Sequence, residues 1–355
     1  MKKEWYIILA VLIAFFLVFP RVAVSAAKKP MTVAELALYK GADRQQILEE
    51  GAKKEGKLTL YTVSILAQSI RPIVAAFQNK YPYIKKVNIW RAGSAQIVPR
   101  VLEEYKAGKH DVDVLDLGQT GVILIEGRGI LQPFYSPNLV YIDENTIKKA
   151  PDGGAVTIGH WANYISVGYN TRLLPKDQVP KIYQDLLNPN WKGKKMAITA
   201  SSTTVCWMGT MLETFGEDFV KQVAKQEFEI HMVSARALLD MVIAGEYKLS
   251  PTIRDSHVSL SKEKGAPVEW VPLEPVAISP GSIMLPKHSA NPHAALLFID
   301  FDLSKEGGEI WKAAGKISYN KEVLGQMTSK SYFGPRSMQQ YTKWKKLFDK
   351  LFLKQ

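Results

Sequence analysis

The sequence predicts an α/β protein with two domains. Three consecutive segments each read as a strand, a polar loop and an amphipathic helix, and this alternation is typical of a sheet covered by helices. A further stretch, Tyr169–Ile198, reads as a strand end, a Pro-punctuated loop, a short helix over Ile182–Leu187, a turn and another strand. About 330 residues lie outside an apparent export signal, more than one core usually covers, which predicts the second domain.

The first 26 residues have the features of a secretory signal. Lys2 and Lys3 form a basic start, Tyr6–Phe19 is an apolar run, and Val24–Ala26 offers small residues for cleavage. The apolar run is shorter than the roughly 20 residues of a membrane span, and an uncleaved N-terminal anchor is the alternative. We therefore expect an exported protein.

Charge and cysteine content limit the classes of function. Cys206 is the only cysteine, so one chain cannot form an internal disulfide, and its apolar neighbours predict a buried side chain. The net charge is +12; residues 1–26 hold three basic residues and one acidic residue, which leaves +10 for the rest. The basic residues are dispersed without interleaved aromatic residues, so we expect no nucleic-acid partner. Either a solvated surface or attraction of an anionic solute explains the charge.

In the first half, each strand is predicted to end at a polar loop. The predicted strands are Lys57–Thr62, Val87–Trp90 and Val112–Leu117. Ligands of open α/β sheets bind outside the carboxyl ends of strands, although a hydroxyl there can simply cap the next helix. The loop residues singled out by this position are Ser64, Arg91, Ser94, Gln119 and Thr120.

The second half is predicted to continue as α/β structure. A strand at Tyr164–Tyr169 precedes the opening stretch, and the hydroxyl-rich loop Thr199–Thr204 precedes a helix at Val205–Phe215. Such a loop at a helix start is suited to an anionic or carbonyl group. The tail Met338–Leu353 is a basic amphipathic helix; we expect it to dock on the body, with membrane or partner binding as the alternative.

Four segments in order resemble the bacterial family 1 extracellular solute-binding proteins, in their ferric-iron-binding-protein-like branch: Tyr61–Pro82, Arg91–Leu117, Tyr169–Ile198 and Ile278–Trp311. The resemblance implies the type II periplasmic binding protein fold, in which two lobes, each a mixed sheet flanked by helices, are joined by two hinge crossovers. By position, the crossovers lie near 163–168 and 271–278. Lobe one is then 56–163 with 273–355, lobe two is 164–272, and 27–55 is an N-terminal helical segment.

The resemblance also implies the function of an ABC importer's substrate-binding protein. Such a protein captures a solute between its lobes by hinge closure and delivers it to a permease in the inner membrane. We expect a periplasmic monomer without a cofactor. A solute-binding partner of a membrane sensor is an alternative with the same binding chemistry. An exported enzyme is the least favoured class, because HExxH, GxSxG, P-loop and GxGxxG motifs are absent.

The ligand predicted from the sequence is a small anionic or polar organic solute, with ferric iron as the alternative. Ferric binders of this family use an adjacent Tyr pair; no such dipeptide occurs here, and the matching segment, Ser250–Asp255, contains Arg254 instead. A guanidinium binds carboxylate or phosphonate with two donors, unless Arg254 pairs with Asp255 or Asp240.

We predict no metal site. The remaining candidate ligand-binding residues are Trp161 and Tyr164 for stacking, Arg236 as a weaker anion-binding residue, and Ser201, Ser202, Thr203 and Thr204 as neutral donors.

Overall fold

The computed structural model describes residues 32–151, 153–193, 195–324, 331–332, 334–335 and 337–353. These residues belong to one compact unit, Met31–Gln355. The predicted export signal, residues 1–26, lies outside the described residues. Within the described part, no helix is both long and apolar enough to cross a membrane.

The strands alternate with helices in the first half and become longer towards the middle. In chain order they are β1 Lys57–Thr62, β2 Lys86–Arg91, β3 Val114–Gly118, β4 Leu131–Gln132, β5 Ile147–Lys149, β6 Ala155–Asn170, β7 Ala197–Thr199, β8 Glu229–His231, β9 Leu249–Arg254, β10 Val268–Val271, β11 Val276–Pro286, β12 Ile317–Ser318 and β13 Ser331–Tyr332.

The α-helices cover these strands. They are α1 Val33–Leu38, α2 Arg44–Glu55, α3 Arg71–Lys80, α4 Ser94–Lys106, α5 Gln119–Ile125, α6 Ser202–Phe215, α7 Glu217–Ala224, α8 Ala235–Ala244, α9 Asp255–Glu263, α10 Pro292–Leu303, α11 Lys305–Ala313 and α12 Met338–Phe348. The helix predicted over Ile182–Leu187 is a short 3-10 helix at Tyr183–Leu187.

One large mixed sheet has the strand order β10-β6-β11-β3-β1-β2, and β7 and β8 form a separate parallel pair. Strand β1 pairs in parallel with β2 and β3, whereas β11 pairs antiparallel with both β3 and β6. The N-terminal part of β6 pairs with β11, and its C-terminal part pairs with β9 and β10. Strand β6 is therefore paired with other strands in both its N-terminal and its C-terminal part.

The structure corrects the predicted start of β6. The sequence predicts a strand from Tyr164, but β6 begins at Ala155. Its N-terminal part contains His160 and Asn163, which are buried although they are polar. Both side chains form hydrogen bonds with residues distant in the chain, which allows them to be buried. A search for apolar runs misses this part of the strand because these residues are polar.

Two groups of buried apolar residues lie along β6. Ile158 and Ala162 pack in a core with α2, α3 and α10. Ile165 and Val167 pack in a second core with α6 and α7. The change between cores falls within the predicted crossover 163–168. The division into two lobes joined at this point stays a prediction.

The C-terminal helix α12 packs on α6. Trp344 lies against Gly209, where a Cβ atom would overlap the indole ring, and Phe348 is also buried. Both aromatic side chains belong to the second core, although the sequence places residues 273–355 in the first lobe. Because Gly209 on α6 has no side chain, the C-terminal helix α12 can pack closely against α6.

A buried network of charged groups connects the central strands. Asp116 on β3 accepts hydrogen bonds from Thr62 Oγ1 at 2.5 Å and from Ser64 Oγ at 2.7 Å. His160 on β6 lies between two carboxylates, with Nε2 at 3.1 Å from Asp116 and Nδ1 at 2.5 Å from Asp302 on α10. The network joins β1, β3, β6 and α10.

Protonation of His160 stabilises this network. Burial alone would lower the pKa of His160, but the charges and hydrogen bonds of Asp302 and Asp116 outweigh it and raise the pKa to about 9. The pKa of Asp116 is lowered because His160 outweighs the opposite effect of burial. The imidazolium and the Asp116 carboxylate therefore coexist at neutral pH.

We predict that alkaline pH weakens the fold through His160. Because its pKa rises from an ordinary 6.5 to about 9 on folding, its contribution is complete below the lower value and is lost as pH rises through the higher one. The free energy of unfolding should fall by roughly 3 kcal/mol across this range, measured by urea denaturation. His160→Gln should be less stable at neutral pH and lack this slope; an equal slope in both proteins would contradict the prediction.

We predict that Trp344→Ala lowers the free energy of unfolding by about 3–5 kcal/mol, because it empties a packed site against Gly209. Lys343→Ala, on the exposed neighbouring position, is the matched control and should change it by less than about 0.5 kcal/mol. Thermal and urea unfolding measure both variants. Small, equal effects would show that α12 does not pack as described.

Candidate functional site

The predicted loop residues of the first half lie at one edge of the sheet. Strands β1, β2 and β3 are parallel neighbours, so Ser64, Arg91 and Gln119 follow or end strands at the same edge. Ser94 begins α4, and its side chain contacts Gly121 near the start of α5. Sequence position and strand pairing together bring these residues to one place.

Most of these side chains already have partners in the protein. Ser64 is buried and donates to Asp116. Gln119 Nε2 donates to the Pro335 carbonyl at 2.9 Å, and Thr120 interacts with the Tyr341 hydroxyl. Arg91, in contrast, is exposed. Of the charged and polar candidates on this edge, Arg91 is the one best placed to reach a solute.

The hydroxyl residues of the second half lie at the end of β7. Helix α6 begins at Ser202, earlier than predicted, so Ser202, Thr203 and Thr204 occupy its first turn. Thr199 Oγ1 lies 2.7 Å from Ser201 Oγ and 3.2 Å from Thr204 Oγ1. These contacts stabilise the turn, whereas Thr203 Oγ1 instead accepts a hydrogen bond from a charged side chain.

That charged side chain is Arg254, the last residue of β9. Its Nη2 donates to Thr203 Oγ1 at 3.1 Å, and its Nε is buried without a hydrogen-bond partner. Burial lowers the pKa of Arg254, and the positive charge of Arg91 adds to this effect. A desolvated guanidinium with unused donors is suited to bind an anion.

The ion pairs that would satisfy Arg254 internally do not form. Asp240 accepts instead from Arg236 Nη2 at 2.5 Å. Asp255 Oδ1 accepts from the backbone N–H groups of Tyr164 and Ser256 at 3.1 and 2.8 Å. Over the described ranges, no carboxylate lies within ion-pair distance of Arg254.

Arg236, the weaker anion-binding candidate, already has several partners in the protein. It also donates to Ser261 Oγ at 2.7 Å and to the His257 carbonyl at 3.2 Å. With Asp240, these contacts use its donors to hold α8 against α9. Its donors are therefore engaged between α8 and α9 and are less available to a solute.

Both aromatic candidates lie on β6, at positions 161 and 164, so they point to opposite faces of the strand. Trp161 is buried, and its Nε1 donates to Asp116 Oδ1 at 3.1 Å. Tyr164 is partly exposed, with its ring centroid 6.1 Å from that of Trp270. Trp161 thus packs in the core, while Tyr164 keeps part of its ring accessible.

Sequence reasoning missed a second cation at this place. Lys316 is only 8% exposed; its Nζ donates to Asn163 Oδ1 at 3.0 Å and lies 4.3 Å from the centroid of the Trp161 ring. Burial, followed by the charge of Arg254, lowers its pKa to about 7. No motif surrounds Lys316, and only the strand pairing that brings 316 to the middle of β6 shows its position.

The register of β6 explains why the two cations are neighbours. Along one edge of β6, β12 pairs Ile317 with Ala162, and β9 pairs Arg254 with Ile165. One more residue of the β12 register places Lys316 opposite Asn163. Since alternate residues of a strand share a face, Lys316 and Arg254 lie on the same face of the sheet.

Among the described residues, neither a large surface depression nor a metal-binding group marks the place where Arg254 and Lys316 lie. A depression of about 1,060 Å³ is lined by parts of 173–195 and 245–248, and none of the predicted site residues lines it. In the described part of the chain, no group of three or more His, Cys, Asp or Glu residues could hold a metal ion. The desolvated cations therefore define the candidate site better than cavity size does.

Solved structures confirm the predicted fold class. Iron-bound HitA from Pseudomonas aeruginosa has a TM-score of 0.68 at 20% identity and covers 83% of this chain and 99% of its own. The periplasmic binding protein AfuA from Actinobacillus pleuropneumoniae, with fructose-6-phosphate bound, has a TM-score of 0.66 at 20% identity over 84% and 99% of the two chains. The substrate binding protein of an Agrobacterium tumefaciens ABC transporter has a TM-score of 0.70 at 16% identity over 82% and 94%.

Sequence comparison identifies the family. An uncharacterized protein of Haemophilus influenzae is 26% identical over 310 residues, which cover 81% of this chain and 84% of that protein. Residues 123–337, more than half of the chain, match the family of bacterial extracellular solute-binding proteins. The chain therefore belongs to the bacterial extracellular solute-binding proteins, which are binding proteins and not enzymes.

Proposed function

We propose that this protein is the substrate-binding component of an ABC importer and that it captures a small anionic organic solute between two lobes. Its family and the similar fold of the A. tumefaciens ABC-transporter protein support this role. AfuA, with a sugar phosphate bound, shows that the same fold can hold an anionic organic solute. The protein would act in the periplasm as a monomer and deliver the solute to a membrane permease.

The observation that carries the proposal is the state of Arg254. Arg254 keeps some exposed area, but its Nε is buried without a hydrogen-bond partner among the described residues, and the one side-chain hydrogen bond seen there goes to the neutral Thr203. A buried unpaired donor costs about 1–3 kcal/mol. A bound carboxylate or phosphate would replace the missing partner and recover part of that free energy.

Electrostatic repulsion suggests how binding and closure are coupled. The charge of Arg91, at the end of β2, lowers the pKa of Arg254, at the end of β9, so each arginine raises the free energy of the other. An anion between them reverses this unfavourable interaction. A bound anion therefore stabilises the closed conformation, in which Arg91 and Arg254 are close together. It shifts the population of molecules towards that conformation.

Ferric iron is the alternative ligand, since HitA was solved with iron bound. Ferric ions require several anionic oxygens, as hard cations do. The side chains proposed to contact the ligand are cationic or neutral donors, Asp255 beside them already accepts two backbone N–H groups, and the chain has no adjacent Tyr pair. The chemistry of this site therefore favours an anion over a cation.

We predict that Arg254→Ala weakens binding of the physiological anion by roughly 100-fold, as expected for removing one partner of a buried charge pair. A thermal-shift screen of organic acids, sugar phosphates, phosphonates, sulfate, neutral sugars and ferric salts identifies the ligand. Calorimetry then compares wild type and variant.

Arg236→Ala is the matched control, because Arg236 is paired with Asp240; its affinity for the anion should equal that of wild type. Stabilisation by ferric salts or neutral sugars alone would reject the proposed ligand class. Full affinity in Arg254→Ala would reject the role of that residue.

A further inference from the structure

The buried side chains around Lys316 contain more donors than acceptors. An ammonium group has three donor hydrogens, and Asn163 Oδ1 is the only acceptor within hydrogen-bond distance of Lys316 Nζ in the part of the chain that the structure describes. The same oxygen also accepts from Ser256 Oγ at 2.7 Å. Apart from the face of the Trp161 ring, the other donor hydrogens of Lys316 have no acceptor among the described residues.

Two neighbouring side chains have the same deficit. Asn163 is fully buried, and its Nδ2 has no hydrogen-bond partner among the described residues; the same holds for Arg254 Nε. A buried unpaired donor costs about 1–3 kcal/mol. Lys316, Asn163 and Arg254 share one face along three residues of β6, so one bound molecule rich in acceptors can satisfy all three.

We propose that Lys316 and Asn163 form a second anion subsite beside Arg254, and that the solute carries two negative charges. A phosphate monoester and a dicarboxylate both have this charge. The inference rests on the proposed function and adds to it the charge of the solute. Arg254 would bind one anionic oxygen pair, and Lys316 with Asn163 would bind the oxygens further into the hinge.

The charged groups that face Lys316 determine how binding depends on pH. They are Arg254 at the end of β9, Asp255 and His257 on α9, and Asp116 on β3, with His160 next to Asp116. Burial and the charge of Arg254 lower the pKa of Lys316 to about 7, and burial raises the pKa of Asp255 to about 7. A negative ligand raises both values.

Binding of a dianion should therefore take up protons. Whichever of Lys316 and Asp255 accepts the proton, the sign is the same, because a negative charge favours the protonated form of each. The affinity should fall as pH rises above about 7, by up to tenfold per pH unit for each proton taken up. The opposite sign would be expected if the site bound a cation.

Isothermal titration calorimetry with two probe pairs tests the proposal. Fructose 6-phosphate is compared with fructose 6-sulfate, and malonate with malonamate, at about pH 7.5, where each first member is a dianion and each second a monoanion. Titrations in two buffers of different ionisation enthalpy give the number of protons taken up. At least one dianion should bind more than tenfold tighter than its monoanionic partner, with roughly half to one proton taken up.

Lys316→Met keeps the length of the side chain and removes its charge. The variant should lose both the preference for the dianion and most of the proton uptake. Lys312→Met, on the exposed face of α11 one turn earlier, is the control and should keep both. If Lys316→Met does not fold, the wild-type titrations decide alone, because they need no variant.

The outcomes separate this inference from the proposed function. Monoanions that bind through Arg254 as tightly as dianions, without proton uptake, would overturn the second subsite and leave the anion-binding function intact. Binding of only neutral solutes or ferric ions would overturn both. Failure of all four probes to bind would also overturn the inference. The phosphate and malonate arms distinguish a phosphate monoester from a dicarboxylate as the source of the two charges.

Discussion

Strand β6 is the constraint on which the rest of the structure depends. It contributes apolar side chains to both cores, so the polar residues that it also carries, His160 within the first core and Asn163 at the change between cores, have to be buried in the middle of a sheet. Burial of polar groups is tolerated only when they are hydrogen-bonded or ion-paired. His160 meets this condition with Asp116 and Asp302, whereas Asn163 meets it only through its oxygen.

The surroundings of His160 and those of Asn163 differ in how their charges are balanced. Around His160, the imidazolium and its carboxylates compensate each other, and the network connects four elements of the first core. Around Asn163, two cations lie close together, and Asp255, which follows Arg254 in the chain, has a pKa raised by burial, which reduces its negative charge. The first arrangement holds the fold together. The second has the charge imbalance that an anionic ligand would correct, as binding sites often do at some cost in stability.

The sequence predicts the fold class well because its signals are local. Alternating strand and helix patterns locate β1 to β3, and the family segments indicate the crossovers. The site is predicted less completely, since hydrogen-bond partners are distant in the chain. Ser64 resembles a ligand donor in the sequence, but its hydroxyl donates a hydrogen bond to Asp116, 52 positions later. Arg254 stands out because the resemblance to ferric-iron-binding proteins implies a tyrosine pair in its segment, and an arginine is present instead. Lys316 has no such signal, because only the register of β12 on β6 brings it beside Asn163.

The position of β11 in the sheet also affects how the chain can fold. This strand lies between β3 and β6, yet it is made more than a hundred residues after β6 begins. Neither core can close its sheet until Val276–Pro286 has been synthesised. Native pairings over such long sequence separations slow folding. A chain that folds slowly remains unfolded for longer, which is the state in which the proposed export across a membrane would take place.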